Sequence, residues 1–169
     1  ATERGIPVTN TPGANSLGVA EYTLALILTL LRPIPRLDRL VRTDRWNDAR
    51  QLIGGDIEGS TLGLVGFGSV GQLVGRRAAA LGMVVLAYDP FLSADAVAGA
   101  GARRVEQLDD LLAQSDVVSL HMTVTPETHR LFDADRFSRM KPGALFVNTA
   151  RAALVDQDAL VASLREGRV

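Results

Sequence analysis

The chain has 169 residues and a formal net charge of −1, from 18 basic and 19 acidic side chains, and 47% of its residues are hydrophobic. That composition excludes disorder and collagen-like repeats, and its near-neutrality argues against affinity built on phosphate-backbone electrostatics, so nucleic acid is not an expected partner. With no cysteine and only two histidines, disulfides, thiolate nucleophiles, iron–sulfur clusters and cysteine-ligated zinc are excluded, and no metal site is expected.

Residues 1–10 carry charges and no apolar core of a secretory signal, and Gly5-Ile6-Pro7-Val8 reads as a strand. The chain lacks an initiator methionine and its last residues, Gly167-Arg168-Val169, interrupt a pattern, so it reads as an internal fragment. From Asn15 a helix is predicted, capped by Ser16 and continued by apolar residues to Leu31. Its longest apolar stretch, residues 24–31, falls short of the roughly 18 residues that a membrane span needs. A cytoplasmic protein with no membrane partner is therefore expected. Arg32-Pro33-Ile34-Pro35 breaks the helix. A polar amphipathic segment follows, with Arg36, Arg39 and Arg42 along one face and Leu37, Leu40 and Val41 packing elsewhere. Trp46 and a polar loop lead to Gly54-Gly55, the approach to a new unit.

From Thr61 short apolar runs alternate with helical stretches, the pattern of repeated βαβ units around a parallel sheet. Strands are predicted at 62–66, 84–88, 117–121 and 144–148, with helices at 70–81, 105–114 and 158–166 and a short helical turn at 134–138. Right-handed crossovers put helices on both faces, so the expected class is α/β with a doubly wound parallel sheet.

Gly66-Phe67-Gly68-Ser69-Val70-Gly71 joins the first of these strands to its helix. In that setting Gly66 permits the tight turn, Gly68 lets the main chain approach a pyrophosphate, and Gly71 lets helix and strand pack closely, while the helix start supplies unpaired N–H groups. Taken alone, the motif is also what a tight strand-to-helix turn looks like. The second strand, however, ends at Asp89, eighteen residues after Gly71, near the spacing at which a carboxylate meets the adenosine ribose. The ordered set predicts dinucleotide binding on a Rossmann sheet. A 2′-phosphate about 4 Å from that carboxylate would meet repulsion of order 4 kcal/mol at an effective dielectric of about 20. No arginine follows in Pro90-Phe91 to offset it, so NAD is expected over NADP.

Two further residues lie at the carboxyl ends of predicted strands, the edge where open α/β sheets bind ligands. Arg151, after Asn148-Thr149-Ala150, is placed to take a carboxylate in a bidentate pair or to serve as a surface or capping arginine. His121 reads as a packed or cofactor-lining histidine, with a catalytic base as the other reading. His129, in the polar stretch after Thr125, reads as solvated.

Together these stretches resemble the D-isomer-specific 2-hydroxyacid dehydrogenases. The resemblance rests on VTNTPGANSLGVAEYTLALILTLLR (8–32), the glycine loop with Asp89, VVSLHMTVTPETHRL (117–131) and MKPGALFVNTARAALVDQDALVASLREG (140–167). It implies that residues 1–14 end a substrate domain, that 15–60 form a crossover helix and an arm in a homodimer interface, and that 61–169 are a dinucleotide-binding domain, incomplete at its C-terminus. It also implies NAD as cofactor, with Ser69 and Val70 at the pyrophosphate beside the loop glycines Gly66, Gly68 and Gly71, Asp89 at the ribose, His121 on the cofactor side, and Thr149, Ala150 and Arg151 beside the nicotinamide and substrate.

Arg151 matches the family's catalytic arginine, which holds the carboxylate and carbonyl of a small 2-hydroxy or 2-keto acid while hydride passes between nicotinamide C4 and the acid's C2. D-3-phosphoglycerate and glyoxylate or hydroxypyruvate are among the substrates the resemblance allows. The histidine and glutamate that exchange the carbonyl proton match nothing here and are expected beyond Val169. Two positions depart from the family: Thr123 stands where proline is usual and Ala152 where glycine is commoner. The alternatives are an NAD-binding regulatory protein of the same fold, corepressor-like, or an inactive cofactor-binding fragment.

Overall fold

The computed structural model describes residues 2–169. After a 3-10 turn at Thr2–Arg4, the chain forms helices α1 (Ser16–Leu31), α2 (Ile34–Arg42) and α3 (Trp46–Ala49). It then alternates β1 (Thr61–Val65), α4 (Ser69–Ala80), β2 (Val84–Tyr88), α5 (Ala94–Gly99), β3 (Arg103–Arg104), α6 (Leu108–Gln114), β4 (Val117–Leu120), α7 (Ala134–Arg139), β5 (Leu145–Asn148) and α8 (Gln157–Arg165). The five strands are all parallel, in the order β3-β2-β1-β4-β5. The winding direction reverses beside β1, between its two neighbours β2 and β4, which opens a crevice at the carboxyl edge there.

Strand residues alternate between two cores because successive side chains point to opposite faces. Leu62 and Leu64 of β1 and Val85 and Ala87 of β2 join α1, α4 and α5 on one face. Val65, Leu86, Val118 and Leu120 join α6, α7 and α8 on the other. Both faces are covered, as the doubly wound class requires. Phe132, Phe137 and Phe146 pack edge-to-face or tilted at the second face, with ring centroids 5.1–6.0 Å apart.

The amino edge of the sheet is tied by Asp116. Its Oδ2 accepts from Thr61 N–H at 2.8 Å and its Oδ1 from Lys141 Nζ at 2.8 Å, so one carboxylate joins the starts of β1, β4 and β5. Burial works to raise the Asp116 carboxyl, but the bonds from Lys141 and Thr61 outweigh it and hold the group below its ordinary value.

The expected strand at Gly5-Ile6-Pro7-Val8 is not formed; Ile6 and Val8 are exposed, with no neighbouring strand to complete a ladder. Asn15, not Ser16, stands at the N-cap of α1, and no side chain caps it; Ser16 is the first helical residue and is buried. Three elements lie outside the sequence expectations: α3, which stands where a polar loop is expected from Trp46, and α5 and β3. β3 is only two residues, Arg103 and Arg104, paired with Leu86 and Ala87, and two arginines carry no apolar alternation to detect.

Helix α1 ends where Arg32 turns extended ahead of Pro33 (φ −113°, ψ 108°), and α2 leaves at 62° to it. The chain returns at Gly55, whose N–H bonds Leu31 O at 2.9 Å, and Arg32 pairs with Asp56. Residues 33–53 are therefore an excursion closed at its base. On it Ile34, Trp46 and Ile53 are exposed, Ile53 to 90%. Helix α1 stays with the sheet: Ala20, Leu24 and Ile27 are buried in the same core as Val74 and Ala78 of α4. Among the described residues no single helix is long and apolar enough to cross a membrane.

Candidate functional site

The turn from β1 into α4 follows from its glycines. Gly66 has φ +91°, and a Cβ on it would stand 2.8 Å from the His121 carbonyl. A Cβ on Gly71 would stand 2.5 Å from Gly66 O, so helix and turn meet main chain to main chain. Between them Phe67 is fully buried under the loop and anchors it in the core, a burial worth about 2–3 kcal/mol. Gln72 Nε2 adds a bond to Phe67 O at 3.1 Å.

Gly68 has a different surrounding: beyond its own stretch of chain, nothing lies within 4 Å of where its Cβ would stand. It is the N-cap of α4, with no side-chain cap bond, and the first backbone bond of the helix runs from Gln72 N–H to Gly68 O at 3.0 Å. The N–H groups of Ser69, Val70 and Gly71 precede that bond and so have no partner within the helix, at the positive end of its dipole. An uncapped, glycine-walled helix start of this kind fits a diphosphate, and a side chain at Gly68 would fill the space it needs.

Asp89, just past the end of β2, reaches back to this turn. Its Oδ2 accepts from Phe67 N–H at 2.9 Å and its Oδ1 from Phe91 N–H at 3.0 Å. The carboxylate is thereby held beside the glycine loop, and each oxygen keeps capacity for one more donor.

His121 follows β4 directly, its N–H bonded to Val65 O at 2.8 Å and its Nε2 2.9 Å from the hydroxyl of the fully buried Ser119. Burial pushes its imidazole down to about 4, so the ring is neutral near pH 7. It is a packed group lining the edge beside Gly66 and has no carboxylate partner. His129 is exposed, in a run of turns.

The fourth segment is the turn after β5. Asn148 uses both ends of its carboxamide: Oδ1 accepts from Ala150 N–H at 3.0 Å and Nδ2 donates to Arg151 O at 2.9 Å. This presents Arg151 outward, exposed, with Nη1 donating to Ala150 O at 2.8 Å and its remaining N–H groups available. Arg151 borders two grooves, one of about 390 Å³ along Phe146, Asn148 and Leu160, the other of about 490 Å³ against Met122, Thr123 and Val124. Thr149 is turned toward α1, its Oγ1 2.8 Å from Thr23 Oγ1.

All ten residues singled out from the sequence thus lie along the carboxyl edge of the sheet. Gly66, Gly68, Ser69, Val70, Gly71 and Asp89 form one cluster, with His121 against it at Gly66. Thr149, Ala150 and Arg151 form a second cluster, joined at Arg151 to the 122–124 segment by the second groove. Sequence reasoning missed three residues that shape these clusters, namely Phe67, Asn148 and Thr23. For Asn148 the signal was available, since asparagine at a strand end is a turn former through its own carboxamide.

The family model for the NAD binding domain of D-isomer specific 2-hydroxyacid dehydrogenases matches residues 24–169. D-3-phosphoglycerate dehydrogenase of Archaeoglobus fulgidus is 42% identical over all 169 residues, and that of Mycobacterium tuberculosis 43%; in each case the chain spans 32% of the relative's length. The solved D-lactate dehydrogenase of Aquifex aeolicus, complexed with NAD and lactic acid, superposes with a TM-score of 0.90 at 37% identity, covering 98% of this chain and 49% of that one.

The burial of neutral His121 has a sign that can be measured. Its folded value of about 4 lies below the ordinary 6.5, so the unfolded chain binds more protons between those values and folding stability rises with pH across that window. The stability of the wild-type chain relative to His121→Asn should fall by up to about 3 kcal/mol between pH 7 and pH 4. Urea unfolding at the two pH values reads this. A pH-independent difference would mean that His121 titrates normally.

Proposed function

The chain belongs to the D-isomer specific 2-hydroxyacid dehydrogenase family, and on that premise we propose that it is the NAD-holding part of an enzyme that moves hydride between NAD and C2 of a small 2-hydroxy or 2-keto acid. The observation that carries this reading is the uncapped start of α4 over Gly68 with the Asp89 carboxylate held beside it. The relatives compared above are dehydrogenases, and they give no support to a corepressor-like regulator.

In this proposal the unpaired N–H groups of Ser69, Val70 and Gly71 bind the diphosphate, and Asp89 accepts from the ribose hydroxyls. His121, neutral and apolar in effect, lines the cofactor side without taking a proton. Thr149 and Ala150 border the nicotinamide, which when bound supplies the hydride-carrying C4. Arg151 grips the acid's carboxylate through paired N–H groups and draws electron density from the carbonyl at C2, which orients the reacting carbon and makes it more electrophilic. Exchange of the carbonyl proton is not assigned to either histidine of this chain and falls to the rest of the enzyme.

Residues 1–14 are proposed as the end of a substrate domain, 15–60 as crossover helix and dimer arm, and 61–169 as the cofactor domain. The closed excursion of residues 33–53, with Trp46 and Ile53 exposed, supports the arm. We place the enzyme in the cytoplasm, with neither nucleic acid nor membrane as partner; its near-zero net charge argues against binding to a phosphate backbone. If the arm joins two copies, sedimentation of the whole protein with residues 33–53 replaced by a short glycine linker should give a monomer. A dimer of unchanged mass would remove that assignment.

The whole protein should oxidise NADH with at least one of glyoxylate, hydroxypyruvate, pyruvate or 3-phosphohydroxypyruvate, and should prefer NADH to NADPH by about two orders of magnitude or more. Arg151→Gln should lower kcat/KM by about 10²- to 10³-fold while leaving NADH binding intact. Equal use of the two cofactors, or full activity of Arg151→Gln, would contradict the assignment.

A further inference from the structure

One buried polar contact crosses from α1 to the arginine turn. Thr23 is fully buried on the face of α1 that otherwise presents Ala20, Leu24 and Ile27 to the core. Its Oγ1 lies 2.8 Å from Val19 O and 2.8 Å from Thr149 Oγ1. A hydroxyl has one hydrogen, and a carbonyl can only accept, so the Thr23 hydrogen goes to Val19 O. Thr149 must therefore donate to Thr23, which settles the direction of the relay: Thr149 O–H to Thr23 O–H to the Val19 carbonyl.

This relay matters for where Arg151 stands. Thr149 sits between Asn148, whose carboxamide closes the turn, and Ala150, whose carbonyl accepts from Arg151. A β-branched side chain is restricted at χ1, and here its single donor is also committed, so Thr149 has one orientation. The turn is thus held from within by Asn148 and from outside by α1. We propose that Thr23 is a positioning residue: through Thr149 it ties the arginine turn to helix α1, so that Arg151 meets the acid's carboxylate in the right place. The proposal rests on the function assigned above for Arg151.

Thr23→Val keeps the side-chain volume and removes the acceptor, so the interface between α1 and the turn after β5 stays filled while Thr149 is released. In the whole protein this variant should raise KM for the 2-keto acid by about tenfold, the worth of one hydrogen bond. The Kd for NADH, read by fluorescence, should stay within about twofold. Thr23→Ser, which keeps the hydroxyl, should restore the wild-type KM. Thr149→Val should raise KM for the 2-keto acid as Thr23→Val does, and the double variant should raise it no more than either alone.

Equal losses in the Val and Ser variants, additive losses in the double variant, or KM and Kd rising together would overturn the proposal. Amide resonances of Thr149, Ala150 and Arg151 in the 169-residue chain, recorded without cofactor or substrate, judge the relay independently of activity. They should move in Thr23→Val and not in Thr23→Ser. Should the whole protein turn over no 2-keto acid, the functional reading fails, and unmoved resonances would then overturn the relay as well.

Discussion

The bond from Phe67 N–H to Asp89 Oδ2 links the end of one strand to the turn that follows its neighbour, and the rest of the site depends on that link. β1 and β2 run parallel in register, Val65 opposite Tyr88, so both chains leave the sheet at the same edge. Gly66 then turns through positive φ with its N–H bonded to Tyr88 O at 2.9 Å, and the next N–H in the chain finds the Asp89 carboxylate. The buried ring of Phe67 holds the same residue from below. Main chain, side chain and core packing thus converge on one residue between the two glycines, and the start of α4 is presented open as a result.

That arrangement puts opposite polarities side by side. The first turn of α4 offers N–H groups and the positive end of a dipole, while Asp89 offers a carboxylate a short distance away. A ligand suited to both carries an anionic centre next to a hydroxylated one, as a dinucleotide does. Farther along the edge the polarity is positive again at Arg151, where an acid's carboxylate can be received. The partly buried His121 between these regions stays uncharged near neutral pH, so it separates them without adding to either field.

Much of this was legible in the sequence. The run Val84-Val85-Leu86-Ala87-Tyr88 is apolar throughout, as a strand buried on both faces must be, and β2 has those bounds. The glycine spacing pointed to the tight turn after β1 because positive φ and close main-chain approach are demands of local backbone geometry. What escaped was set by tertiary context. β3 exists only because β2 offers it an edge, and Ser93-Ala94-Asp95 becomes a helix start only when Ser93 Oγ accepts from Ala96 N–H. Ser16 resembles a cap by type, yet burial against the core draws it into the helix and leaves Asn15 outside. The bond between Thr23 and Thr149 spans 126 residues of chain, and no local pattern in either segment announces it.

The uncapped start of α4 and the Asp89 carboxylate, 2.9 Å from Phe67 N–H, are proposed to form one binding site. That proposal is tested most directly by adding ADP-ribose, which carries the diphosphate and adenosine without a nicotinamide, to the isotopically labelled chain and following its backbone amides. Saturable movement is expected of the Gly68, Ser69, Val70 and Gly71 resonances together with those of Phe67 and Phe91, whose N–H groups share the carboxylate. Saturable binding that left these amides unmoved and shifted others instead would contradict it.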